Sequence, residues 1–225
     1  MINDPLFWTI ILLALAFIWA CRKSITFSED TPVEKKVYVM LDTETTGLDP
    51  SKALAWQVGM IAFTSDYEKL SSFEVTSGIE PREWDQETLK WAAMQYPKEV
   101  FEGATVLGSY SYKHAMLDVQ DWLSFIVSEY GIKNVVLICN HVEFDWPILL
   151  NSFVAAGIDR KAASQLIYYR NKLDLQSLCI GKVGAAHDTI YRLLPSSSEV
   201  VTHRALEDCY RQIEMLKHFG VELPG

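Results

Sequence analysis

Two short apolar runs, KVYVML at residues 36–41 and NVVLIC at 134–139, place the tightest constraint on the fold. Both are rich in β-branched residues and almost lack polar alternation, which is the pattern of a strand covered on both faces. A chain with two such strands must supply helices for both sides of a sheet. Four segments do so, with helix formers at helical spacing: DQETLKWAAMQY (85–96), AMLDVQDWLSFIVSEYG (115–131), FDWPILLNSFVAAG (144–157) and RALEDCYRQIEMLKHFG (204–220). In the last of these, Leu206, Cys209, Ile213 and Leu216 form one apolar stripe. Two more strand-like runs, ALAWQVGMIAFT (53–64) and KLSSFEVTSG (69–78), follow the first, so the domain opens with a meander. Three strands followed by alternating helix and strand predict an α/β fold, a mixed sheet with helices on both faces.

The N-terminus is a separate object. From Pro5 to Cys21 there are 17 residues without a charge, bounded by Asp4 and by Arg22-Lys23, with Trp8 and Trp19 placed like interfacial anchors. This is long enough to span a bilayer, and a single transmembrane helix is expected. A signal peptide cut after Ala20 and a buried core helix are the alternatives; against the first, the leading MIND carries no basic residue and position −3 is Ile18. For a spanning segment, Arg22 and Lys23 place the rest of the chain in the cytoplasm by the positive-inside bias. Residues 24–35, polar and interrupted by a proline, read as a tether. The expected organisation is therefore a membrane anchor at 1–23, a tether at 24–35 and one folded domain at 36–225. With 225 residues and 49% hydrophobic content, the chain is sufficient for one core plus such an appendage.

The cysteines Cys21, Cys139, Cys179 and Cys209 are widely spaced, with no C-x-x-C pair, which suggests neither a zinc site nor a disulfide framework and fits a reducing compartment. A net charge of −9 excludes a protein that coats nucleic acid through a broad basic surface. It leaves open an enzyme that grips a strand end through metal ions.

In VMLDTETTGLDP, Asp42 and Glu44 stand two apart at the end of the first buried strand. Residues so spaced point to one face, about 6.5–7 Å apart. Two unpaired carboxylates there repel and lose solvation unless a cation or protons compensate, or unless the strand has already emerged into water. Asp145 opens a helix directly after the strand ending at Cys139, where ligands commonly bind in α/β sheets; it is also an ordinary choice for a helix start. His203 and Asp208 lie near the start of the last helix; five residues turn through about 500°, so the two converge only if Thr202 caps the helix and His203 lies at its entrance.

Taken together, DTETTG, NHVEFD and HRALED have the order, spacing and neighbours of the three motifs of the DEDDh exonucleases, members of the ribonuclease H-like superfamily. The resemblance runs from about Val37 to Phe219. Asn140 lies five residues before Asp145 with His141 after it, and this offset, with DQETLKWAAMQ between the first two motifs, resembles the DexA-like phage exonucleases and their bacterial relatives. His141 departs from that branch, which usually has a small residue there.

The resemblance implies a ribonuclease H-like sheet and a 3'-to-5' exonuclease that releases nucleoside 5'-monophosphates from single-stranded DNA or RNA. It implies two divalent cations, Mg²⁺ or Mn²⁺, held by Asp42, Glu44, Asp145 and Asp208, with His203 taking the proton of the attacking water. Thr43, Thr45, Thr46 and Asn140 are the implied contacts to the terminal nucleotide, while Phe144 packs in the core or stacks on a base. Arg160, Lys161, Arg170, Lys172 and Arg204 guide a strand or are simply solvated, Asp174 reads as a helix start, and Trp84, Trp91 and Trp122 as core or edge packing. Two alternatives stay open: an inactive nucleic-acid-binding or docking module tethered to a membrane, and a phosphodiesterase acting on small nucleotides. The lipid bilayer, through residues 5–21, is an expected partner; the sequence points to no protein partner.

Overall fold

The computed structural model describes residues 35–105, 111–184 and 204–225. The apolar segment Pro5–Cys21, nearly all of the tether, and the predicted helix entrance Thr202-His203 lie outside the described residues. Five strands form one sheet: β1 (Val37–Thr45), β2 (Ala55–Thr64), β3 (Lys69–Thr76), β4 (Val135–Cys139) and β5 (Lys172–Asp174), in the order β3-β2-β1-β4-β5. β1 pairs antiparallel with β2 and parallel with β4; β2–β3 is antiparallel and β4–β5 parallel. The sheet is mixed, as the sequence predicts, and the strands that carry the runs at 36–41 and 134–139, β1 and β4, lie side by side.

Alternation along β1 divides the core. Val37, Val39 and Leu41 face one layer, where they meet α3 (Tyr112–Tyr130) and α4 (Val142–Ala155). α3 contributes Ala115, Met116, Val119, Leu123 and Ile126 at helical spacing, and α4 contributes Ile148, Leu149 and Phe153. Tyr38 and Met40 face the other layer with Ile61 and Phe63 of β2, covered by α6 (Leu175–Val183) and α7 (Ala205–His218). α1 (Gln86–Gln95) and α2 (Lys98–Thr105) close a smaller aromatic cluster around Trp56, Trp84 and Tyr96.

One boundary differs from expectation in a way that matters. The predicted strand stops at residue 41, whereas β1 continues to Thr45 because its ladder with β2 persists through Asp42↔Gly59 and Glu44↔Gln57 before the register shifts. Asp42 and Glu44 therefore stand within the sheet, half-buried, rather than beyond its end. The short α2, α5 (Arg160–Ser164) and the three-residue β5 escape periodicity, since none is long enough to show a pattern. Asp174 is a helix start, as expected: it caps α6, its carboxylate accepting from the Ser177 amide at 2.7 Å. Among the described residues no helix is long and apolar enough to cross a membrane.

Candidate active site

The site is assembled on both faces of the end of β1. On the even face, α7 lies unusually close to the sheet because β2 has a glycine opposite Asp42. A Cβ at Gly59 would stand 2.3 Å from both the Ala205 carbonyl carbon and the Leu206 nitrogen. Gln57, opposite Glu44, caps the helix from the sheet: the Ala205 amide donates to Gln57 Oε1 at 3.0 Å. The Cys209 thiol reaches the Gly59 carbonyl at 3.3 Å, which fixes the next turn. Asp208, in the first turn of α7 and 5% exposed, is thereby brought over β1. Carboxylate oxygens of Asp42, Glu44 and Asp208 lie within 4.8 Å of one another.

On the odd face, Thr43 turns toward α4. Asp145, in the first turn of α4 and 4% exposed, accepts through Oδ1 from the Thr43 amide at 3.2 Å and from the Thr43 hydroxyl at 2.8 Å. Three carboxylates converge directly, and the fourth is tied to the backbone between the first two. Three of the four accept a side-chain hydrogen bond, and Asp208 is ion-paired. Gln212 Nε2 donates to Asp42 at 2.6 Å, the Tyr96 hydroxyl to Glu44 at 2.6 Å, Thr43 to Asp145, and the Arg211 guanidinium lies 3.1 Å from Asp208.

Burial dominates the electrostatics. It pushes Asp42 well above the usual carboxylate range, reinforced by the charges of Asp145, Glu44 and Asp208 and opposed by the Gln212 hydrogen bond. Burial also carries Glu44 up to about 7 against the Tyr96 hydrogen bond, with Asp208 and Asp145 adding to the rise. Asp145 is raised to about 6 by burial, its hydrogen bonds from Thr43 pulling the other way. So much desolvated negative charge is what a cation relieves, and a donor set made only of carboxylate oxygens suits the hard ions Mg²⁺ and Mn²⁺.

A cleft of about 910 Å³ opens beside Glu44, between the end of β1 with the turn that follows it (43–49), α1 and Phe144. Leu48 stands 79% exposed at its mouth, and Trp91, 39% exposed, forms part of its wall. Trp84 is buried, and Trp122 packs on Phe73 with its indole N–H donating to Ser71. Of the sequence-predicted nucleotide contacts, Thr43, Thr45 and Thr46 line the cleft and Asn140 does not, and all four are already engaged. The Thr45 hydroxyl donates to the Gly47 carbonyl at 2.8 Å, the buried Thr46 hydroxyl accepts from the Leu54 amide at 3.0 Å, and Thr43 holds Asp145. Asn140 Oδ1 accepts from Gln176 at 3.3 Å, and the exposed His141 ring lies between Gln176 and Asp174, at 2.9 and 3.9 Å. His203 is outside the described residues. Tyr96, Gln57, Gly59 and Gln212 were not singled out from sequence, since only the strand register and helix packing bring them to the carboxylates.

No curated protein sequence matches the chain. Among solved structures, the nuclease domain of 3'hExo, described as a DEDDh family member bound to rAMP, superposes with a TM-score of 0.60 at 12% identity, over 86% of this chain and 98% of that one. A zinc-bound E. coli ExoI–ssDNA complex superposes with a TM-score of 0.54 at 15% identity over 81% of this chain, which spans only 40% of that protein. Cell-death related nuclease 4 (CRN-4) gives a TM-score of 0.57 at 15% identity, over 81% of this chain and 63% of that one. At these identities the likeness establishes the fold. The family model described as the 3'-5' exoribonuclease Rv2179c-like domain matches residues 37–219, from the first residue of β1 to the end of α7, so the chain belongs to that family and is a 3'-5' exonuclease.

Proposed function

We propose that the protein is a divalent-cation-dependent exonuclease that removes nucleotides one at a time from the 3'-end of single-stranded RNA, releasing nucleoside 5'-monophosphates. The observation that carries this reading is the convergence of Asp42, Glu44 and Asp208 within 4.8 Å, with Asp145 bound to the strand between the first two. Asp42, Glu44, Asp145 and Asp208 would hold two Mg²⁺ or Mn²⁺ ions. When bound, such ions supply Lewis acidity toward the scissile phosphate and acidify water.

The chain's own residues do the rest. The cleft beside Glu44 receives the terminal nucleotide, with Phe144 and Leu48 offering apolar surface to a base. Thr43, Thr45 and Thr46 shape its floor through their internal hydrogen bonds, and Asn140, directly after β4 and held by Gln176, is a further candidate contact. His203 accepts the proton of the attacking water, since an imidazole with an unperturbed pKa of about 6.5 suits a base near neutral pH. The water oxygen joins phosphorus, the bond from phosphorus to the 3'-oxygen breaks, and that oxygen leaves on the shortened strand to be protonated from solvent. A net charge of −9 is compatible with this chemistry because only the strand end must be held.

The family description supports RNA; the ssDNA complex of E. coli ExoI makes DNA the control. Full-length protein is incubated with 5'-labelled and 3'-labelled single-stranded RNA and DNA in Mn²⁺, Mg²⁺ or EDTA, beside a dinucleotide. A ladder shortening from the 3'-end, with labelled mononucleotide from the 3'-labelled strand and no reaction in EDTA, is expected. Cleavage of the dinucleotide alone would support a small-nucleotide phosphodiesterase instead, and no cleavage by folded protein in either ion would support a docking module. The sequence further supports anchoring through residues 5–21 with the nuclease domain on the cytoplasmic side. Fractionation of the full-length protein beside a version starting at Ser24 tests this, and equal membrane association would refute it.

A further inference from the structure

Each carboxylate on the even face of β1 receives one short hydrogen bond from a residue outside the three motifs. Tyr96 and Gln212 are the donors, both at 2.6 Å. Tyr96 is 8% exposed, and its ring is fixed edge-on between Trp56, at 5.2 Å and 87°, and Trp91, at 6.0 Å and 89°. It is the C-cap residue of α1, and α1 is tied to the site at its other end, where the Asp85 amide donates to the Thr46 carbonyl at 2.8 Å. The helix thus spans from the loop after β1 back to Glu44, and the phenol has little freedom to leave its acceptor. Gln212 is buried on α7 one turn beyond Asp208, on the same face, so the helix that delivers the third carboxylate also delivers the donor that holds the first.

Both donors are neutral. A phenol and an amide orient Glu44 and Asp42 without neutralising them, while Asp208 is paired with the Arg211 guanidinium. Each contact also engages one oxygen of a group that has two. We propose that Tyr96 and Gln212 are positioning residues that fix Glu44 and Asp42 as ligands of a divalent cation. This rests on the cation-binding reading of the cluster given above.

The test is Mn²⁺ binding to full-length protein, read by electron paramagnetic resonance as loss of the free-ion signal, without substrate. Tyr96→Phe keeps the ring and its contacts, Gln212→Leu keeps the volume, and Tyr169→Phe, at an exposed tyrosine that is not part of the cluster, is the control. Each of the first two should weaken Mn²⁺ binding about tenfold, as loss of a ligand-orienting partner typically does, with melting in EDTA close to that of the wild type and the control unchanged. In a Glu44→Gln background, Tyr96→Phe should have no further effect, which a general packing role does not predict. Wild-type Mn²⁺ affinity in a folded Tyr96→Phe or Gln212→Leu protein overturns the inference, and so does failure of Tyr96→Phe to fold, which would make the hydroxyl a structural one. Absence of Mn²⁺ binding by the wild type would instead overturn the cation site itself, and the inference with it.

Discussion

The two faces of β1 carry acids of the same site by different means. On the even face, Asp42 and Glu44 belong to the strand itself, and the helix is brought to them: Gly59 makes room, Gln57 caps α7, and Asp208 arrives with its first turn. On the odd face the strand contributes no acid. Thr43 reaches across with a backbone and a side-chain donor and ties down Asp145 of α4. The even face concentrates charge and depends on close packing; the odd face depends on two hydrogen bonds. A central strand with helices on both sides can thus gather four carboxylates at one end although only two of them belong to the strand.

The largest effect should come from removing a carboxylate on the crowded face. Asp42→Ala is expected to lower kcat/KM on a 3'-ended strand about 10³-fold or more, at 1.36 kcal/mol of transition-state stabilisation per tenfold, with little loss of stability because buried repulsion is relieved. A variant retaining more than a tenth of wild-type activity would show that the even face does not carry the chemistry.

Gly59→Ala tests the packing that brings Asp208 in. Backbone atoms 2.3 Å away cannot step aside as a side-chain end would, so a loss of about 3 kcal/mol in stability, measured by urea denaturation, is expected together with weaker Mn²⁺ binding. Wild-type stability would mean that α7 is not held against the sheet there.

The pH dependence of the metal-free protein separates burial from hydrogen bonding. Glu44, raised to about 7, and Asp145, raised to about 6, bind protons more tightly folded than unfolded. Their contribution to stability is therefore present below about pH 4 and lost as pH rises through the folded values, so melting in EDTA should fall between about pH 4 and 7 by an amount on the order of 2 kcal/mol. Saturating Mn²⁺ should flatten or reverse that slope. A metal-free melting temperature that climbs over the same window would contradict the electrostatics described.

The smallest effect belongs to the odd face. Thr43→Val removes the hydroxyl but leaves the amide donor to Asp145, and about 1 kcal/mol of stability should be lost with a modest fall in kcat, read by thermal melting and single-turnover cleavage. A loss as large as that of Asp42→Ala would erase the distinction between the faces.

Much of this was legible in the sequence because it is written in local patterns. The apolar runs of β1 and β4 specify central strands, and with the meander and the amphipathic helices they yield a mixed sheet covered on both sides. The three motifs identify Asp42, Glu44, Asp145 and Asp208. What was not legible depends on pairing. The extension of β1 to Thr45 follows from its ladder with β2, not from hydropathy, since the residues after Leu41 are polar. Gly59 looks like an ordinary strand glycine until its register opposite Asp42 and the approach of α7 are known. Tyr96 and Gln212 lie 52 and 170 residues from the carboxylates they hold, and no spacing rule links them.

Whether the end of β1 holds cations between its two faces can be read from crystals of the protein soaked in Mn²⁺, by anomalous diffraction. Anomalous peaks enclosed by Asp42, Glu44, Asp145 and Asp208 are expected, with their loss in Asp42→Ala crystals. Ordered carboxylates with no peak among them at saturating Mn²⁺, or peaks bound elsewhere on the chain, would contradict a cation site there.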